Sequence, residues 1–371
     1  MNEYLGANPH DEVPANAAAG VAVTGTDCDL FLQGTVFFDL VLTGLEAVPA
    51  RGTEVWADGM GSCPGGIANL AIAASRLGLR TSLAGAFGDD VYGDFCWRTL
   101  SAQEGVDLSY SRRFPAWHSP VTVSLVVNRD RTMVTHSHPA PLRPTELVGT
   151  APDASVGFVH LTDDPEPWIQ DAAARGMLLF GDVGWDPEEK WSASIFDRLK
   201  GFHAFVPNSV EAMAYTHTDD PHDALHVLAD KVPVAVVTCG GQGALAVDSE
   251  TGEEEWAPSL PVNETDPTGA GDVFGAAFVL GTLRKWPLRQ RLAFANLCAA
   301  LSVQYVGGSL AAPGWGDIVD WLAGVRAKAA AGSGAARDLA AAYAFVDDVL
   351  PDSGRISVRR ASATIARWSD A

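Results

Sequence analysis

The residues best suited to chemistry lie in one short run, Asp266-Pro267-Thr268-Gly269-Ala270-Gly271-Asp272, followed by the apolar Val273-Phe274-Gly275-Ala276-Ala277-Phe278. A turn of small residues entering an apolar helix leaves its first backbone N–H groups without helical acceptors, and Gly269, Ala270 and Gly271 carry nothing large enough to shield them. Such a turn suits an anion. Asp272 stands at the same helix start, where aspartate commonly serves as an N-cap. A carboxylate beside an anion cradle also meets the needs of phosphoryl transfer: one group accepts the proton of an attacking hydroxyl, and backbone donors meet the charge building on the phosphoryl group. Spacing alone leaves both roles open. The pattern predicts a helix reaching about Arg284 and stopping before Pro287.

A second run, Gly65-Gly66-Ile67-Ala68-Asn69-Leu70-Ala71, continues as a helical pattern to a stop at Gly78. Two glycines let a backbone approach a ligand closely, and Asn69, one turn in, can both donate and accept hydrogen bonds. A tight turn with no ligand explains the glycine pair equally well.

These runs need a scaffold, and the surrounding sequence supplies one. Short apolar stretches at 81, 156, 177, 203 and 233 alternate with Ala- and Leu-rich helical patterns, which predicts a parallel sheet with helices on both faces. Residues 36–64 and 107–138 break the rhythm. The second of these reads as a hairpin turning at Asn128-Arg129-Asp130-Arg131, and strands without helices predict a small sheet standing off the main body. Alternation puts His136 and His138 on one face of that hairpin, as exposed residues. The expected organisation is a loose leader over 1–27, one main α/β domain over 28–326, and a C-terminal helical extension with a basic tail over 327–371.

Charge and cysteine usage narrow the function further. Lys plus Arg number 25 against 46 Asp plus Glu, a formal charge of −21, which disfavours nucleic acid and anionic membrane surfaces as partners. An anionic ligand must then be held by local dipoles and a metal. Five scattered cysteines form no CxxC pair, which fits neither a disulfide framework nor a zinc site and points to a reducing, cytoplasmic setting. No targeting segment or membrane span is expected; the uncharged stretch from Leu292 to Gly316 is interrupted by Asn296, Gln304, Gly307, Gly308 and Pro313.

Taken in order, the motifs resemble the ribokinase-like superfamily, specifically the PfkB-type carbohydrate kinases. Gly34 and Asp39 follow the first strand, Pro49 and Gly52 follow in the lid, and then comes GGIANLAIAASRLG. After these stand Gly88-Asp89-Asp90-Val91-Tyr92-Gly93, Asn208-Ser209-Val210-Glu211, Thr238-Cys239-Gly240-Gly241-Gln242-Gly243-Ala244 and DPTGAGD. No GxxxxGK[ST] loop is present. The resemblance runs from about Cys28 to Gly324. It implies a three-layer α/β/α fold with a mostly parallel central sheet and a small β-sheet lid.

The resemblance also implies roles. Asp272 would be the catalytic base, and Gly269, Ala270 and Gly271 the anion hole. Asp39, Gly65, Gly66 and Asn69 would hold the sugar. Asn208, Thr238, Gly240, Gly243 and Asn296 would meet ATP, and Asn208 and Glu211 would order Mg²⁺ largely through water. Asp266 and Thr268 fall where some members bind K⁺. Ile67 stands where ribokinase has a lysine, which disfavours ribose, and Pro267 departs from the usual DTxGAGD pattern. The segment Asp182-Val183-Gly184-Trp185-Asp186 replaces a common Asp-Pro-Asn-x-Arg form. The resulting expectation is an ATP-dependent sugar kinase; a nucleoside kinase and a non-catalytic sugar or nucleotide sensor are the alternatives. Phe37, Val41, Val121, Val123 and Leu125 could cover either the sugar or a second copy of the lid, so a sugar-dependent closure and a lid-to-lid homodimer are expected.

Overall fold

The computed structural model describes residues 26–127, 130–161, 166–184, 186 and 189–351. The leader, the basic tail and the Asn128-Arg129 tip of the hairpin lie outside the described residues. Fourteen strands appear, in chain order β1 Cys28–Gln33, β2 Val36–Leu45, β3 Gly59–Gly66, β4 Thr81–Ala84, β5 Ala86–Gly88, β6 Arg112–Phe114, β7 Val121–Val127, β8 Asp130–His136, β9 Ala154–His160, β10 Leu178–Asp182, β11 Ala204–Phe205, β12 Val234–Thr238, β13 Ala244–Asp248 and β14 Glu253–Ala257. Eight of them form the main sheet, ordered β14-β13-β12-β11-β10-β9-β1-β4. Its strands run parallel from β4 to β12, and β13 alone among these eight runs against them, pairing antiparallel with both β12 and β14. Continuous apolar strands such as β12, Val-Ala-Val-Val-Thr, are what burial on both faces demands.

The core lies on both sides of this sheet. On one side the helices Ile67–Arg76, Ala270–Leu283 and Leu288–Ser302 cover Leu30, Leu32, Val156, Phe158 and Val236; on the other, Phe31, Leu179, Phe205 and Val237 pack under Trp168, Leu225 and Leu228. The three-layer architecture is therefore present, with an antiparallel edge that the sequence reading did not include.

The lid is a separate four-stranded sheet, β3-β2-β7-β8. The parallel pairing of β2 with β7 joins the two segments that broke the rhythm. Two boundaries differ from expectation. Residues 107–120 are not lid strands, since β6 pairs with β5 in a small sheet of its own. The hairpin closes sooner than expected as well: Arg131 is a β8 residue opposite Val126, because strand pairing continues through the charged run as far as Asp130.

The C-terminal boundary also moves. Residue 326 falls inside the helix Trp315–Ala330, and the following helices, Gly334–Ala342 and Val346–Val349, return to the core. Tyr343 and Val346 are buried there, and the Tyr343 hydroxyl donates to the Ala293 carbonyl at 3.1 Å. Tertiary burial packs this Ala-rich helical extension against the main body. No helix among the described residues is long and apolar enough to cross a membrane.

Candidate active site

The helix that carries Asp272 spans Ala270–Leu283, one residue short of the expected end. Its N-cap is Gly269 in the left-handed region, φ 76°, where a side chain would be strained, and a Cβ there would come 3.2 Å from Asn69 Cγ. Asp272 is therefore a first-turn residue and not the cap. Its carboxylate looks outward to Asn69, whose Nδ2 donates to Oδ2 at 3.0 Å. Burial pushes the Asp272 carboxyl up to about 6, while the Asn69 bond and the Arg131 charge pull it down.

Asn69 is held in place from below. It is buried on the helix Ile67–Arg76, whose last residue, Arg76, pairs with Glu104 and donates to the carbonyls of Leu310 at 2.9 Å and Ala312 at 2.6 Å. The Asn69 Oδ1 atom is buried with no hydrogen-bond partner. An orphaned acceptor of this kind costs stability unless a ligand donates to it.

Asp39 reaches the same place from the lid. It lies opposite Cys63 on β3 and Thr122 on β7. The reason for Gly65 is close approach: a Cβ there would fall 1.8 Å from Asp39 Oδ2. Burial, together with the charges of Asp266 and Asp272, pushes Asp39 up to about 7, against the pull of Arg131. In the sequence Arg131 reads as part of the hairpin turn. The structure turns it into the cleft, where its Nη1 donates to the Thr268 hydroxyl at 2.8 Å.

The small-residue loop is braced by its own side chains. Asp266, 1% exposed, accepts from the Thr268 N–H at 2.9 Å and hydroxyl at 2.6 Å, and its other oxygen accepts from the Gly307 N–H at 3.1 Å. Ser309 donates to the Pro64 carbonyl and ties this corner to the lid. Of the three expected anion-hole residues, Ala270 already donates its N–H to Pro267 at 3.2 Å, whereas Gly271 faces open space.

The expected nucleotide residues gather at the ends of β11, β12 and β13. Asn208 bridges to Thr238, whose N–H donates to Pro207 at 3.1 Å. Asn208 and Glu211 form a reciprocal cap on the helix Ser209–Thr216, each accepting from the other's backbone N–H at 3.0 Å. Gly240 is exposed beside them. Gly243 leads into Ala244, which pairs with Ala257, and the buried Asn296 donates its amide to the carbonyls of Ala257 at 2.8 Å and Pro258 at 3.3 Å. That amide is spent on backbone, which leaves Asn296 less free for a base than expected.

One acidic residue was missed. Asp182 ends β10, and burial raises its carboxyl well above the usual range, with the charges of Glu211 and Asp272 adding to the shift. Burial raises Glu211 too. Asp182, Glu211 and Asp272 thus link the two ends of the cleft, and their mutual repulsion suits a cation. No local spacing in the sequence connects them.

Solved ribokinases share this architecture. The structure of Arabidopsis thaliana ribokinase complexed with ribose and ATP matches with a TM-score of 0.65, covering 79% of this chain and 98% of that one at 20% identity. The fold is ribokinase-like, an α/β sandwich with a small sheet as its lid. Residues 34–314 match the pfkB family carbohydrate kinase model, and the chain belongs to that family of phosphotransferases. Among curated relatives, a fructokinase of Klebsiella pneumoniae is 31% identical over 70% of this chain and 93% of its own length. A nucleoside kinase of Methanothermobacter thermautotrophicus is 28% identical over 79% and 95%. The protein is a kinase of the carbohydrate or nucleoside class.

Proposed function

We propose that the protein transfers the γ-phosphate of ATP to a hydroxyl of a sugar, with Asp272 as the base. The observation that carries this reading is the Asn69–Asp272 pair: a carboxylate at about pKa 6, aimed by one amide nitrogen, beside a buried oxygen that lacks a donor. A sugar hydroxyl donating to Asn69 Oδ1 would satisfy that atom and lie next to the base. Asp39 would accept from further hydroxyls, with Gly65 and Gly66 keeping the floor open. As the hydroxyl attacks, its proton passes to Asp272, which at neutral pH is ionised and basic enough to take it. Backbone N–H groups of Gly269 and Gly271 then face the charge on the phosphoryl group, and Ala270 joins them by releasing Pro267.

The carboxylates Asp182 and Glu211, with Asn208, fit a hard divalent ion that keeps most of its waters, and Mg²⁺ there would supply charge neutralisation for the phosphates. Thr238, Gly240, Gly243 and Asn296 would line the ATP side. K⁺ at Asp266 and Thr268 would share oxygens already tied into the loop. Both Asp266 oxygens accept hydrogen bonds, and the Thr268 hydroxyl lies between Asp266 and Arg131. No step is derived through K⁺.

The nucleoside kinase relative favours a second reading in which the acceptor is the ribose of a nucleoside. ADP release measured against hexoses, pentoses, keto-sugar acids, sugar phosphates and nucleosides separates the two. Turnover only with nucleosides replaces the first reading, and binding of acceptor and ATP without turnover leaves a sensor.

The lid is proposed to close on the acceptor and to pair with a second copy. Phe37 and Val41 share the inward face with Asp39, so they leave the proposed contact; Val123 and Leu125 share the outward face with Leu40 and Leu42, while Phe38, beside Val121, packs on Tyr92 and Phe95. A groove of about 500 Å³ lined by Leu42, Leu45, Val55, Trp56 and Leu125 continues that face, and Trp56 is 85% exposed. Sedimentation of the wild type against Leu125→Glu, and scattering with and without acceptor, test dimer and closure in turn.

A further inference from the structure

We propose that His222, His226 and Glu254 form a binding site for a divalent transition-metal ion of the Zn²⁺ class, on the outer edge of the main sheet and apart from the kinase cleft. His222 and His226 are one helical turn apart on the helix Pro221–Ala229, which Asp220 caps by accepting from the His222 N–H at 2.8 Å. Ala224, Leu225 and Leu228 bury the opposite face of that helix, so both imidazoles point outward from a fixed base. Glu254 comes from β14, the free edge, where Glu254 and Trp256 alternate outward.

The three side chains converge on one point. His222 Nε2 lies 3.0 Å and His226 Nε2 3.5 Å from the same oxygen, Glu254 Oε1, and the ligand atoms of all three lie within 4.8 Å of one another. Tetrahedral zinc with bonds of about 2.0–2.1 Å holds its ligand atoms about 3.3 Å apart, and 3.0 and 3.5 Å bracket that spacing. Two imidazoles and a carboxylate select zinc, nickel or copper over Mg²⁺ or Ca²⁺, and their half-exposed setting leaves a position for water. The neighbouring Glu253, Glu255 and Asp223, on a chain of charge −21, draw cations to this edge. A bound ion would clamp the helix that leads into β12 to the last strand of the sheet, which pairs with β13 at the sheet edge.

The test uses the full-length protein, stripped with chelator and kept in excess Mg²⁺ so that the cleft carboxylates are occupied. Zn²⁺ is then titrated by calorimetry, with Co²⁺ absorbance reporting imidazole ligation and thermal melting reporting the clamp. One equivalent of Zn²⁺ and a rise in Tm of a few degrees are expected, since a ligand that binds only the folded state stabilises it. His226→Ala and Glu254→Gln should each weaken binding at least about tenfold and remove the Tm rise, as loss of a ligand does. His136→Ala, which removes one of the paired lid histidines, should change neither. Glu254→Gln is exposed and nearly isosteric, so it keeps the test valid if His226→Ala misfolds. Absence of Zn²⁺ binding at micromolar concentration, unchanged binding in both site variants, or loss of binding in His136→Ala would each overturn the site.

Discussion

The two ends of the cleft are built differently. At the acceptor end, around Asp39, Asn69 and Asp272, burial pushes two carboxyls up to about 7 and about 6, and one buried oxygen has no partner. At the nucleotide end, Asn208 and Glu211 cap a helix for one another, and Asn296 is anchored to backbone carbonyls. The first end carries unmet electrostatic demand that a ligand must satisfy. At the second, Asn208 and Asn296 already serve as structure, and the unmet demand rests on the buried carboxyls of Asp182 and Glu211. Substitutions at the acceptor end should therefore cost turnover, while those at the nucleotide end should cost stability and metal response.

The largest effect is expected for Asp272→Asn, which keeps the Asn69 contact region polar and removes the base. Its kcat should fall at least about a hundredfold, the scale of general base catalysis, with nucleotide affinity unchanged by calorimetry. Near-normal turnover would return Asp272 to a purely structural position. Next comes Gly65→Ala, whose methyl would meet Asp39 Oδ2 at 1.8 Å; the acceptor KM should rise about tenfold or more, the scale at which a displaced binding group is felt. Gly241→Ala on the nucleotide side, with nothing within 4 Å, should be silent in the same assay and serves as its control. Equal effects from the two would erase the contrast.

Glu211→Gln is expected to lower kcat about tenfold and to raise the Mg²⁺ concentration needed for half-maximal rate, because an outer-shell carboxylate is lost while the amide still accepts the Asn208 N–H. An unchanged Mg²⁺ titration would leave Glu211 as a cap alone. The smallest effects concern pH. With Asp272 near 6, kcat/KM should fall as pH drops below about 6, and Arg131→Met should move that midpoint upward. Stability runs the other way. Asp39 and Asp272 have folded pKa values raised above the unfolded 3.8, so their contribution is full below about pH 4 and is lost as pH rises towards 7. The ligand-free protein should then melt higher at pH 5 than at pH 8, and Asp39→Asn should flatten that slope.

Much of this was legible in the sequence because the chemistry sits at element starts. The glycine-rich entries to the helices Ile67–Arg76 and Ala270–Leu283 are local signals, and both helices end within a residue or two of their expected stops. What was not legible depends on distant partners. Arg131 reads as a turn residue until β8 pairs with β7 and carries it to Thr268. Asp182 reads only as the first residue of a variant segment with no assigned role, and its place depends on β10 lying beside β11, whose loop leads to Glu211. The acidic Glu253–Ala257 does not read as a strand on composition, and its pairing with β13 supplies what its residues lack. The C-terminal helices look detached because alanine dominates them, and the few large apolar residues that dock them, Leu339, Tyr343, Phe345 and Val346, are too sparse to show a period.

The strand Gly59–Gly66 passes into the helix Ile67–Arg76 without an intervening residue, and the Ile67 N–H donates to Thr35 at 3.1 Å, beside the point where the chain first enters the lid. The lid therefore has no slack at this attachment. Any rocking of the sheet turns Gly66, held at φ 62°, and works as a crank on the helical turn that bears Asn69. Because Asn69 grips Asp272, movement of the cover and aim of the base are geared into one coordinate. On the proposed reading, such gearing would leave Asp272 unaimed over an empty pocket and set it only when the acceptor holds the lid down, keeping ATP from being spent on water.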